Sequence, residues 1–174
     1  MGDLSKHFAK REFACKCGKV HDFTIDPELI DKLEKLHTLT GATAIYITSG
    51  YRCPIYSKSV GGYFNDAHTK GIAADIVIDG KYKRLSSEAV AEAAERVGFS
   101  GIGIIDNTAV HVDVRNDNNY VNSHWFGDER SGNDNIKTFQ TGRKFDDENV
   151  SCETSDKHKI TVIIDGATVY ESEV

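Results

Sequence analysis

No stretch of this sequence is apolar and long enough to span a bilayer, and none has the apolar core of a secretory signal peptide. Membrane insertion is therefore not expected, and the chain reads as made in the cytoplasm, leaving by another route if it leaves. No segment gathers Lys and Arg into a basic stripe, and the formal net charge is −6. Nucleic acid is not an expected partner, and attraction to an anionic surface is not the driver of whatever it binds. There is no internal repeat. Gly2, followed by Asp3, Leu4, Ser5 and Lys6, is a poor lipidation site. The four cysteines are not needed as staples, because a chain of 174 residues buries most of its unfolded surface anyway.

What is present is an ordinary globular composition, with 39% hydrophobic and 28% charged residues. Asp26-Pro27-Glu28 opens a helix as cap, first-turn proline and first-turn acid. Leu29, Ile30, Leu33 and Leu36 continue it at helical spacing, and Gly41 ends it. Residues 44–48 and 72–78 read as strands, with a turn at 49–54 and a glycine-rich loop at 60–66. A second helix runs from Ser86 to about Val97, before Gly98. Two more strands, 101–105 and 109–114, flank the turn Asp106-Asn107-Thr108. The expected fold is α+β: a small, mostly antiparallel sheet with helices on one side. The first domain covers residues 1–129. Residues 130–159, poor in apolar groups, read as a linker or loose segment. Residues 160–174 read as a C-terminal β-hairpin around Asp165-Gly166, able to dock on the main domain or on a protein partner.

Three side chains stand out chemically. Asp75 interrupts the apolar run Ile72–Ile78, where an unpaired carboxylate would be costly. Strand alternation sets it opposite Ala74 and Ile76. His111 and Asp113 share one face of their strand, away from Val110, Val112 and Val114. His68 precedes Asp75 by seven residues, and Gly71 lets the chain turn between them. His, Asp and His suit zinc as three protein ligands with a fourth position open, the catalytic arrangement rather than the structural one. Taken singly, each has an ordinary alternative. A loop His is usually solvated, and a strand Asp can cap a turn. Cys15 and Cys17 with His21 form half a metal site at most. Their spacing is shorter than structural zinc prefers, so reduced, partly buried thiols are the expected state.

The segment His68-Thr69-Lys70-Gly71-Ile72-Ala73-Ala74-Asp75 matches H-x-x-G-x-A-x-D, and His111-Val112-Asp113 matches H-x-[DE]. Ser49-Gly50-Tyr51-Arg52 and Val60-Gly61-Gly62 lie between the first helix and the first histidine. With Leu4-Ser5-Lys6-His7-Phe8 and Glu12-Phe13-Ala14-Cys15-Lys16-Cys17-Gly18, these motifs follow one another in order over about residues 4–127. The chain thus resembles the zinc D-alanyl-D-alanine carboxypeptidases and L-alanyl-D-glutamate endopeptidases. That clan also holds phage endolysins, vancomycin-resistance dipeptidases and the hedgehog signalling domain. The resemblance implies zinc on His68, Asp75 and His111, and Arg52 reaching the site to hold a substrate carboxylate or an oxyanion. A surface ion pair is the plain alternative for Arg52.

Two positions depart from the family pattern. Asp66 stands where relatives usually have Ser, and Thr108 stands where many carry the carboxylate base. Asp113 is the first expected substitute as base and Asp106 the second, although Asp113 can instead orient a ligand. Trp125, after His124, either lines the substrate cleft or anchors the core. The resulting expectation is a zinc peptidase cutting an amide in peptidoglycan stem peptides. It would act at the cell wall after release or in a phage particle. A non-catalytic zinc-stabilised binding module and a phage particle component are the alternatives.

Overall fold

The computed structural model describes residues 2–115 and 125–140 in full, and further on the backbone of three strands. The chain divides into two compact units, 1–141 and 142–174.

The first unit begins with a short 3-10 turn, Lys10–Phe13, whose Phe13 is fully buried. Helix α1, Pro27–Thr40, starts as its sequence dictates. The Asp26 carboxylate accepts the Glu28 N–H at 2.8 Å, and Gly41 ends the helix. Strand β1 (Ala44–Ser49) leads into a short helix α2 (Pro54–Ser59) that periodicity did not reveal. Then come β2 (Ala73–Asp79), helix α3 (Ser87–Val97), β3 (Gly101–Ile104), β4 (Val110–Asp113) and β5 (Trp125–Asp128). Among the described residues no helix is long and apolar enough to cross a membrane.

Five strands make one sheet in the order β1-β2-β4-β3-β5. The expectation of a mostly antiparallel sheet needs correction, because the sheet is mixed: β5 joins β3 in parallel. Two-residue periodicity reports which face a residue takes, not the direction of its neighbour. β5 pairs with β3 rather than with β4, the strand before it in the chain, and pairing with a strand that is not the sequence neighbour leaves no local signal.

Alternation gives the sheet two faces. One carries Ala74, Ile76, Ile78, Ile102, Ile104, Val110, Val112 and Phe126, all buried. They form a single apolar cluster with Leu29, Ile30, Leu33 and Leu36 of α1 and Val90, Ala91 and Ala94 of α3. The first unit continues past residue 129. The Ile136 N–H donates to Phe126 O at 2.9 Å, and Ile136 and Phe139 pack against the cluster.

In the second unit β6 (Ser151–Glu153), β7 (Lys159–Ile164) and β8 (Ala167–Glu173) pair antiparallel in that order. The Asp165-Gly166 turn of the expected hairpin lies outside the described residues.

Leu33 is fully buried at the centre of the apolar cluster. Leu33→Ala is expected to lower stability by about 2–5 kcal/mol. Urea denaturation measures this, and a loss below about 1 kcal/mol would place Leu33 outside the core that holds α1 to the sheet.

Candidate metal centre

The opposite face of the sheet carries the polar residues. Strand pairing sets Asp75 beside His111, His111 beside Gly103, and Gly103 beside Gly127. This single row crosses four strands. His68 comes from the loop before β2, which the Gly71 turn returns to the sheet. Gly71 has φ +72°, and a Cβ there would lie 2.1 Å from Thr24 O. No other residue fits that turn.

Three donor atoms meet on this face. His68 Nε2 lies 3.1 Å from His111 Nδ1. Asp75 Oδ1 lies 3.0 Å from His111 Nδ1 and 3.2 Å from His68 Nε2. Ligands of a tetrahedral zinc ion, bound at about 2.0–2.2 Å, stand about 3.3–3.6 Å apart. The spacing therefore fits the ion to within a few tenths of an ångström.

The remaining ring nitrogens settle which atoms carry lone pairs. His68 Nδ1 donates to the Gly50 carbonyl at 2.8 Å, which leaves Nε2 as the acceptor of the neutral ring. His111 Nε2 donates to Asp113 Oδ2 at 3.0 Å, which leaves Nδ1 as the acceptor. Two imidazole lone pairs and a carboxylate oxygen thus face one point. Such a set repels itself unless a cation or a proton sits among them, and the donor types suit zinc. The protonic electrostatics agree in sign. Burial alone would lower the His111 pKa, but its bonds to Asp113 and Asp75 raise it to about 9. Burial would raise the Asp75 pKa, but bonds to His111 and His68 hold it far below the usual carboxylate range.

Comparison with known proteins gives one result. A family model described as Peptidase M15 matches residues 6–113. The chain belongs to the peptidase M15 family. The resemblance carried by the ordered motifs is borne out, and membership supports a hydrolase of a family of zinc peptidases. A search of curated proteins finds no match. The matched span ends at Asp113, so Trp125 and everything after it lie beyond the shared region.

Arg52 reaches this cluster through Asp75. Its Nη2 donates to Asp75 Oδ2, its Nε donates to Ser49 Oγ at 2.7 Å, and its backbone N–H donates to His68 O at 3.3 Å. Asp75 is thus held by one oxygen and presents the other.

Both expected base positions, Asp113 and Asp106, are engaged in hydrogen bonds. Asp113 is fully buried, and its carboxylate accepts from Arg115 N–H and Nε as well as from His111. Burial pushes its pKa up, while the Arg115 and His111 bonds hold it well below the usual range. It does not line the cleft, and its geometry is that of a group orienting His111. Asp106 is exposed and caps its own turn, accepting the Thr108 and Ala109 N–H groups at 2.7 Å each. Those two bonds lower its pKa. Thr108 belongs to the same turn. Asp66, at the Ser position of relatives, accepts from Ser57 Oγ and from the Thr69 N–H at 3.0 Å, and so organises the loop before His68.

The cleft over His68, Asp75 and His111 is about 720 Å³ and includes Arg52, Trp125, Glu129 and Asp134 in its wall. Trp125 meets the His111 ring edge-on at 6.1 Å, and Arg115 lies over its face at 5.5 Å. Its ring crosses two glycines: a Cβ on Gly103 or on Gly127 would come within 2.7 Å of it. His124 lies outside the described residues. Glu129 escaped the sequence reading. It follows β5, whose parallel pairing no local pattern announced, and its N–H donates to Ile104 O at 2.9 Å.

Asp113→Asn is expected to weaken zinc binding about 10–100-fold, as loss of a histidine-orienting carboxylate does. Chelator competition measures this, and unchanged affinity with reduced turnover would restore Asp113 as a base. Gly103→Ala is expected to displace the Trp125 ring. Because the chain has a single Trp, its fluorescence reports the change directly; an unaltered spectrum would contradict the close packing.

Proposed function

We infer that the chain is a zinc peptidase that hydrolyses an amide bond in the peptide part of bacterial cell wall. One observation carries this reading: three lone pairs converge on the floor of an open cleft in a chain of the M15 family. The peptidoglycan substrate is supported by the family resemblance.

His68, Asp75 and His111 would hold the ion. Zinc bound there supplies a Lewis acid that polarises a carbonyl oxygen and lowers the pKa of a water molecule to about 7. The protein's own groups divide the remaining work. Asp113 fixes the His111 ring, and Gly50 O fixes the His68 ring. Arg52 holds Asp75 and turns its guanidinium toward the cleft, where it complements the negative charge that grows on the scissile carbonyl oxygen. Trp125 supplies a flat wall against which the peptide lies. Glu129 is the exposed carboxylate anchored to the sheet at the cleft edge. It takes the proton of the attacking water and returns it to the leaving amine.

The choice of bond follows from Arg52. Its Nε and Nη2 are engaged by Ser49 and Asp75. It cannot clamp a terminal carboxylate with both prongs while it holds Asp75. Cleavage within the stem peptide is favoured over removal of a terminal D-alanine. The non-catalytic module keeps one supporting observation, the absence of a carboxylate at Thr108, and the same experiment decides it.

Purified peptidoglycan incubated with the protein should yield fragments that have gained water at an amide. Mass spectrometry detects them, and chelation should abolish them. Absence of cleavage under every zinc condition would contradict the reading. Glu129→Gln should lower kcat by about 10²–10⁴-fold with bound zinc unchanged, whereas Asp106→Asn should leave turnover near that of the parent. The reverse ranking would move the base to Asp106.

A further inference from the structure

A second cluster of ligand-type side chains lies outside the cleft. Cys15, Cys17, His21 and Cys53 each offer one donor atom, and all four atoms lie within 4.8 Å of one another. Each residue is half-buried, and Cys15, Cys17 and Cys53 are free thiols. Cys17 Sγ is 2.9 Å from His21 Nε2. The Cys53 backbone N–H donates to Cys15 Sγ at 3.3 Å. Three sulfurs and one imidazole nitrogen in such a volume are the donor set of a closed structural zinc site.

We propose that Cys15, Cys17, His21 and Cys53 hold a structural zinc ion that clips the N-terminal segment to the loop carrying Arg52.

Three features support this assignment. The fourth ligand, Cys53, lies 32 residues beyond His21 in the chain, and only folding brings it there. The one-residue spacing of Cys15 and Cys17 argued against a site while those two were viewed with His21 alone. The fold removes the difficulty, because Cys53 approaches from a different segment and completes the set. The separations also suit an ion. Sulfurs bound at about 2.3 Å around a tetrahedral ion stand about 3.8 Å apart, so closure from the present spread requires only side-chain rotation. A disulfide would use two of the thiols and leave the third beside His21 without purpose.

The location explains what the ion would do. The Tyr51 N–H donates to Phe13 O at 2.8 Å, and Tyr51 stacks on Phe23 with ring centroids 5.1 Å apart. Segment 13–23 and loop 50–53 are therefore already packed together, and the metal locks that contact. Cys53 adjoins Arg52, and Gly50 of the same loop accepts the His68 Nδ1–H. The ion would hold at once the arginine that grips Asp75 and the carbonyl that sets the His68 tautomer. All four positions being protein ligands, it has no open place for substrate and acts by positioning.

The two sites can be told apart spectroscopically, because the cleft ligands include no thiolate. Full-length protein prepared under reducing conditions with zinc should contain two zinc ions per chain. After cobalt exchange it should show intense near-ultraviolet thiolate-to-cobalt absorption. His68→Ala should lose one ion and keep that absorption; Cys17→Ser should lose one ion and the absorption together. The parent protein and His68→Ala decide the matter even where Cys17→Ser fails to fold. A single ion per chain with no thiolate-to-cobalt band, or a Cys15–Cys53 disulfide in the reduced preparation, would overturn the proposal. Because metal content and spectrum are read without any peptidase assay, this outcome is independent of the activity proposed above.

Discussion

Two hydrogen bonds at the far sides of two imidazole rings govern this structure. His68 gives its Nδ1 proton to a backbone carbonyl, and His111 gives its Nε2 proton to a buried carboxylate. Each bond forces the lone pair to the opposite nitrogen, and both lone pairs then point to the place where Asp75 presents an oxygen. The convergence is unfavourable for the protein alone and favourable with a cation. Asp113 would be hard to justify as a buried carboxylate on strand grounds, yet Arg115 and His111 leave it fully paired.

The sheet is what makes the convergence repeatable. Asp75 and His111 are paired neighbours across β2 and β4, so their separation is fixed by the ladder. The apolar side chains of the same strands face the two long helices, so a one-residue slip would carry both ligands into the core. Glycines beside them in β3 and β5 remove side chains where Asp113 and Trp125 need room. A Cβ on Gly101 would fall 2.2 Å from an Asp113 oxygen. The small residues are part of the site, although they bind nothing.

Much of this was legible in the chain. Asp26-Pro27 and Ser86 announced the two long helices, and alternation announced the face of Asp75 and His111, because these signals depend on near neighbours. The family resemblance rested on spaced motifs and held. What escaped depends on distant partners. β5 pairs in parallel with β3, which is not its neighbour in the chain, and Glu129, just after β5, enters the cleft wall through that pairing. Strand alternation placed Asp113 on the metal face but could not show that Arg115 would fill its remaining oxygens. Asp106 looked free in sequence because its partners are backbone N–H groups of its own turn. Cys53 gave no local sign of joining Cys15, Cys17 and His21.

The convergence of lone pairs is tested most directly by zinc-edge anomalous diffraction from crystals of the zinc-loaded protein. The account predicts a peak in the cleft bonded to His68 Nε2, Asp75 Oδ1 and His111 Nδ1, with Asp113 still on His111 Nε2. A cleft without such a peak, or an ion bound through His111 Nε2 with Asp113 drawn in as a ligand, would contradict it.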